Sequence, residues 1–461
     1  MGGNNNNKKG GKFYMNALKK ISISALFTII IIVSACLSSC QTIQPTIDTK
    51  DLSHMYNPTR NYFSPSYAVN TLSDESAMLS VRFFANNLFF SEANSAGVPT
   101  AVIAINIKLY KTMQGSRILT DTTTYDISIV RDSEKIEYIY NFPLKTESAS
   151  QYLIEIKTLD RLRTIVSQTF VPFNTLSRFN SYNFLKRNYF TQDRLFSQVL
   201  RLDEYITLHY TRGHFDSLYI SYIKPFEHIP DPPFMMLPQK QVDYEPDTTI
   251  TLAYSDTLPI MLPRKGIYMC SVDGKIKDGY TLFNFGESYP AMTTPEDMIE
   301  PLAYIANKNE LDQMKTNPNL KVALDDFWIK CGGGNIEKAR ELIRIYYNRV
   351  VYSNIYFTSF TEGWRTERGM IFTIYGPPDK VYKSLEDETW GYRKQVVKSS
   401  WGGRYSVTED YIYFTFKQRE NIFSDNDYFL SRSDALVTQW DQAILSWQKG
   451  VVFRFDNPDG I

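Results

Sequence analysis

A chain of 461 residues that is 43% apolar and 15% aromatic can fill several hydrophobic cores, which excludes a largely disordered protein. Lys+Arg and Asp+Glu both number 50, so the charge balance does not point to nucleic acid. The first 39 residues hold Lys8, Lys9, Lys12, Lys19 and Lys20 and no acid; without them 45 basic groups face 50 acidic ones, a surface that does not adhere electrostatically to anionic lipid.

Lys19-Lys20 precede an apolar run from Ile21 to Val33, and small residues follow, which is the order of a secretory signal. The run falls short of the roughly 20 residues that span a bilayer. Val33-Ser34-Ala35-Cys36 and Leu37-Ser38-Ser39-Cys40 both resemble the lipobox of bacterial lipoprotein signals, where small residues admit the chain to the peptidase and the thiol takes the lipid. Ser38-Ser39-Cys40 followed by Gln41 resembles signals common in Bacteroidota, which favours Cys40 over the alternative, Cys36. An uncleaved anchor with incidental cysteines is the competing reading. Residues 1–39 are thus expected to be a lipoprotein signal peptide, with translation starting at Met1 or at Met15. No acidic cluster follows Cys40, and by resemblance the mature protein would be lipid-anchored in the outer membrane, facing the periplasm. Residues 40–62, with Pro45 and Asn57-Pro58, read as the lipidated cysteine and a linker. Cys270 and Cys331 fall in different expected domains and read as buried thiols rather than a disulfide.

From 63 to 173 the hydrophobic period is two. Leu79, Val81 and Phe83, then Ile103, Ile105, Ile107 and Leu109, then Tyr152, Ile154 and Ile156 alternate with smaller or polar residues. About seven such strands predict an antiparallel β-sandwich. Residues 174–289 predict a second β-rich domain: Leu218, Ile220 and Tyr222 share one strand face, and Ile267 to Val272 form a strand before Asp273-Gly274, a two-residue hairpin signal. Pro230 to Pro238 bracket an apolar stretch, Phe234 to Leu237, which is either a stiff docking loop or a segment folded over the sandwich edge.

At about Pro290 the pattern changes to α+β, continuing to residue 461. Asn307 and Glu310 fit a capping box, Leu320 to Lys330 a helix ending at Gly332-Gly333-Gly334, and Asn335 the cap of a long helix carrying Ile336, Ala339, Ile343, Tyr346 or Tyr347, and Val350 on its apolar face. Met370 to Tyr375 reads as a strand stopped by Gly376-Pro377-Pro378, Tyr411 to Phe416 as another, and Leu436, Trp440, Ile444 and Trp447 as a final amphipathic helix. The fold class expected is therefore multidomain: two antiparallel β-sandwich-like domains followed by an α+β C-terminal domain.

Gly363-Trp364-Arg365-Thr366-Glu367-Arg368-Gly369-Met370, followed by Tyr375-Gly376-Pro377-Pro378-Asp379, resembles the signature of the GWxTD-domain family, lipoproteins and envelope proteins found mainly in Bacteroidota. The resemblance covers about 290–461. Phe327-Trp328, Ala339-Arg340, Tyr346 to Val350, Asn354 and Phe357 are similar to the family's upstream helices, Glu388-Thr389-Trp390 and Tyr392 to its downstream strand, and Met55 to Pro58 to the opening of such proteins. One departure stands out: Glu367 replaces the family's Asp, one methylene longer, which suits a structural acid better than a catalytic one. Gly363 and Gly369 permit turns, Trp364 is a large anchor, Thr366 and Glu367 can cap, and Arg365 and Arg368 can fork onto carboxylates. These features predict a helix-to-strand joint, or alternatively a ligand pocket whose wall includes Trp390.

The four histidines, His54, His209, His214 and His228, all precede the GWxTD-like region, so Ser–His, Cys–His and His-ligated zinc chemistry is absent there. No P-loop, dinucleotide fingerprint, H-E-x-x-H, C-x-x-C or G-x-S-x-G occurs. Glu386-Asp387-Glu388 reads as a solvated loop that could otherwise offer acid–base carboxylates. The expectation is a lipid-anchored envelope protein without catalytic residues, metal or cofactor, binding other envelope proteins of an assembly, secretion or gliding complex and no nucleic acid. The alternatives are an enzyme or glycan-binding protein with a pocket at the motif, and a chaperone-like binder using Phe234–Leu237.

Overall fold

A computed structural model of the chain describes residues 46–456 apart from 49–50, 59–62, 93–96, 114–115, 237–243, 276–277, 385 and 402–403. The expected signal peptide, Cys36, Cys40, Leu237 and Pro238 lie outside the described residues.

The chain opens with a short strand, β1 (Thr46–Asp48), and a 3-10 turn at Ser53–Tyr56. The period-two region then forms β2 (Ser66–Thr71), β3 (Ser76–Phe84), β4 (Thr100–Met113), β5 (Ser116–Val130), β6 (Glu137–Lys145), β7 (Gln151–Asp160) and β8 (Ile165–Asn174). These seven strands make two antiparallel sheets, β2-β3-β6 and β5-β4-β7-β8. Their inward residues Leu79, Val81, Ile103, Ile105, Ile154 and Ile156 are fully buried in one shared core. That is the sandwich the alternation predicts, because successive side chains on a strand face opposite ways.

β9 (Phe184–Asn188) and β10 (Ile206–Tyr210) pair with each other, and β11 (Ser217–Ile223), β12 (Thr248–Ala253), β13 (Gly266–Ser271) and β14 (Tyr280–Asn284) form a sheet of order β12-β11-β13-β14. β13 and β14 are buried on both faces. One face carries Tyr268, Cys270 and Leu282 into a core with Leu208, Leu218 and Ile220; the other carries Ile267, Met269 and Phe283 against Phe360 and Phe423 of the following module. The turn at Asp273-Gly274 is not a two-residue hairpin: the last β13–β14 pair is Cys270 with Tyr280. Asp273 instead accepts from the Lys275 N–H at 3.0 Å, an Asx turn inside a longer loop.

Helices α1 (Pro295–Ile299), α2 (Lys308–Thr316), α3 (Leu320–Cys331), α4 (Ile336–Phe357), α5 (Glu367–Tyr375) and α6 (Val437–Gln448) surround the strands β15 (Lys380–Ser384), β16 (Asp387–Trp401), β17 (Arg404–Gln418) and β18 (Tyr428–Leu430). Asn307 and Glu310 form the expected capping box, and Asn335 caps α4 after the glycine turn. Among the described residues no helix is long and apolar enough to cross a membrane.

Two expectations are corrected here. Met370 to Tyr375 lies in helix α5, not in a strand. A six-residue apolar run fits either element, and its β-branched residues favour a strand; yet every residue from Arg368 to Tyr375 is buried, and a helix buried all round shows no amphipathic period. The segment read as a linker is not a free tether either. β1 pairs with β15 at the edge of the five-stranded sheet β1-β15-β16-β17-β18, and Leu52 and Tyr56 are buried in the C-terminal core.

Cys270 and Cys331 are free and buried. Burial pushes their thiols up to about 12 and about 11, so thiolate is scarce at neutral pH. Neither should be alkylated in the folded protein, and both should react in denaturant; peptide mapping by mass spectrometry that finds either modified under native conditions would contradict this packing.

Candidate functional site

The motif turns the chain between α4 and α5, so the joint is helix to helix rather than helix to strand. A 3-10 turn at Gly363–Arg365 leads to Thr366, whose hydroxyl donates to the Gly363 carbonyl at 2.7 Å and accepts from the Gly369 N–H at 3.0 Å. Thr366 is therefore the N-cap of α5. Thr366→Ala should cost about 1 kcal/mol, read as a shift in the denaturation midpoint with unchanged slope. Gly363 and Gly369 serve close approach rather than turn geometry. A Cβ at Gly363 would overlap the Ser353 carbonyl of α4, and one at Gly369 would overlap the Gly363 carbonyl.

Trp364 is buried, its backbone N–H donating to Asn354 Oδ1 at 3.1 Å and its carbonyl accepting from Tyr304 Oη at 2.8 Å. The guanidinium of Arg365 lies 4.4 Å from the centre of its ring. Arg365 is itself buried: it pairs with Glu300, approaches Glu362 to 3.0 Å and donates to the Glu227 carbonyl at 3.0 Å. Glu367 accepts from the Leu430 N–H at 2.9 Å and pairs with Arg432 at 2.9 Å. Arg432 in turn donates to the carbonyls of Asp231 and Pro232.

These bonds decide what the proline-bracketed segment does. Pro230–Met236 docks on the C-terminal module, not on a sandwich edge, and Phe234 packs against that module's core. Met235 and Met236 are exposed. Arg365, Glu367 and, through its hydroxyl to the Phe226 carbonyl at 3.3 Å, Thr361 together fasten residues 226–232 of the second module to the third.

Beyond α5, Gly376 has φ +84° and its carbonyl accepts from Tyr392 Oη at 2.8 Å. Arg349 donates to the Ile374 carbonyl at 2.7 Å, completing the helix end beside Pro377 and buried Pro378.

Glu388 is not a loop carboxylate. It is fully buried on the inner face of β16 with Trp390 and Tyr392. Trp390 Nε1 donates to it at 2.6 Å, Lys383 Nζ lies at 3.0 Å and Arg368 Nη1 at 3.2 Å. Burial would raise its carboxyl, but Lys383 and Arg368, aided by bonds from Trp390 and Tyr56, hold it below the ordinary value. Arg368 is 2% exposed, bonds Asn426, and lies 3.9 Å from the centre of the Tyr428 ring. Lys383 also donates to Tyr56 Oη at 3.1 Å. The structure thus gathers Arg368 and Trp390 with residues the sequence reading missed: Tyr56, Lys383 and Tyr428. The alternation Glu388-Trp390-Tyr392 was the available signal, because it sets the acid in an inward register. Arg368 and Lys383 reach the wall of a cleft of about 730 Å³ where all three modules meet, lined also by Gln151, Tyr182, Gln198 and Asn426.

Among the described residues no group of three or more His, Cys, Asp and Glu is placed to hold a metal ion. His209 pairs with Asp256 at 2.9 Å at the surface of the second module.

The architecture is that of a β-sandwich protein with a clamped α+β head. Residues 266–449 match the family model of the GWxTD domain, so this chain contains a GWxTD domain. The match begins at β13, earlier than Pro290, in keeping with the burial of β13 and β14 against the head. No curated protein compared with the chain matches it.

Proposed function

We propose that the chain is a lipid-anchored envelope protein, acylated at Cys40 in the outer membrane and facing the periplasm, that acts by binding other envelope proteins. The observation that supports a non-enzymatic role is the use made of the motif: Arg365, Thr366, Glu367 and Arg368 spend most of their polar atoms on bonds within the protein. A motif used this way holds surfaces in register. The reading is tested by affinity purification from solubilised envelopes with Glu367→Ala and Arg368→Ala. Partner recovery that falls in step with melting temperature supports it; loss of function at unchanged melting temperature opposes it. The anchor is tested separately by mass analysis of the native protein. Acylation that Cys40→Ser abolishes supports it, a modification that only Cys36→Ser removes moves it to Cys36, and an unmodified product with its leader attached overturns it.

The three-module cleft favours a second reading, a glycan-binding site with Arg368 in its wall. Saturation-transfer NMR with soluble glycan fragments tests it, and Tyr182→Ala should abolish any transfer.

A further inference from the structure

Between the first two modules lies a separate cleft of about 340 Å³, walled by Asn70 and Asn141 from the β2-β3-β6 sheet and by Arg187 and Arg194 from the second module. Its polar groups run in one direction. Arg194 donates to Ser80 Oγ and to Asn70 Oδ1, the Ser80 hydroxyl donates to Asn141 Oδ1, and Asn70 Nδ2 donates to the Phe184 carbonyl at 2.6 Å. Both amide oxygens are therefore taken, which leaves Asn141 Nδ2 as a donor on the wall. Arg187 spends one N–H on the Gln192 carbonyl at 2.8 Å. Among the described residues neither arginine has a carboxylate within ion-pair distance, whereas Arg82 nearby has Glu137 at 3.4 Å.

The surroundings hold further basic side chains. Arg82 and Arg194 both lie against the Phe196 ring, at 4.5 and 5.5 Å from its centre, and Lys186 is buried close by. Burial pulls Arg194 down to about 10 and Lys186 to about 7, the latter eased by Glu204 and worsened by Arg82. Asp193 is the acid among the lining residues; it is exposed and bonded to neither arginine. A half-buried guanidinium without a counter-ion is costly, and donors that converge without acceptors call for negative charge.

We propose that this cleft binds an oxyanion, the carboxylate or phosphate group of a ligand, between Arg187, Arg194 and Asn141. The site is independent of the motif and of the membrane anchor. The test is thermal unfolding of the full chain in inorganic phosphate, in acetate and in sodium chloride at matched ionic strength. Phosphate or acetate should raise the melting temperature beyond chloride, and whichever acts more strongly identifies the group. Arg187→Gln should weaken that response about tenfold or more without lowering the ion-free melting temperature, because Arg187 makes one bond to the Gln192 carbonyl and its uncompensated charge is itself costly. Arg194→Gln should remove the response and also lower the ion-free melting temperature, because its bonds cross between modules. A response that chloride reproduces, or that Arg187→Gln leaves intact, overturns the proposal.

Discussion

Arg368→Ala should destabilise the protein by about 3–5 kcal/mol, the cost of leaving a buried acid short of its partner. Glu388 has no exposed surface, and Arg368 supplies an ion pair at 3.2 Å. The substitution also removes the bonds to Asn426 and the stacking on Tyr428. Lys383 remains at 3.0 Å, so the loss should fall short of complete unfolding. Chemical denaturation measures the loss, and the double variant with Glu388→Gln should recover part of it; a single variant within 1 kcal/mol of the parent, on the order of an exposed pair, would show that the pair is not buried as described. The same carboxylate sets a pH limit. Its pKa is lowered in the fold, so its contribution is complete above the unfolded value of 4.5 and is lost as pH falls through the folded value. Acid unfolding should begin below pH 4.5 and shift upward when Lys383 or Arg368 is neutralised.

Gly369→Ala is expected to cost about 3 kcal/mol or more, against about 1 kcal/mol gained at an ordinary helix-interior position. The added methyl would overlap the Gly363 carbonyl, which is backbone and cannot rotate away. Relief requires the 3-10 turn to lift off α5, loosening the Trp364 and Thr366 bonds with it. Circular dichroism melts should therefore show Gly369→Ala lower than Thr366→Ala by several degrees; equal melting temperatures would mean that the turn can yield.

Much of the sandwich was legible because its strands are half buried, and Leu79, Val81 and Phe83 or Ile103 to Leu109 announce which face is inward. Helix caps at Asn307 and Asn335 were legible for a similar reason: a side-chain oxygen three residues from an N–H is a local event. The errors lie where burial is complete or partners are distant. α5 shows no period because it has no wet side. Glu388 looked like part of an acidic loop because Arg368 and Lys383 reach it through the fold. Gly363 and Gly369 looked like turn residues, although what excludes a side chain is the neighbouring backbone. Nothing in the sequence around Pro230–Met236 shows that Arg432, some two hundred residues later, holds it.

Tyr56 has a consequence for how the protein can be cut. Its ring sits among Tyr356, Phe357 and Trp390, at 5.0 to 5.6 Å between centres, so the C-terminal core contains a residue from some three hundred positions earlier in the chain. A fragment limited to 266–449 would lack that ring, and Phe453 and Phe455 besides. Excised alone, it should expose a wet aromatic hollow and associate, whereas a fragment extended to residue 456 and supplied with a peptide of residues 46–58 in trans should stay soluble. On the ribosome, the head must likewise wait for its last strands while its first piece stays unpaired, a long-range closure that makes folding slow.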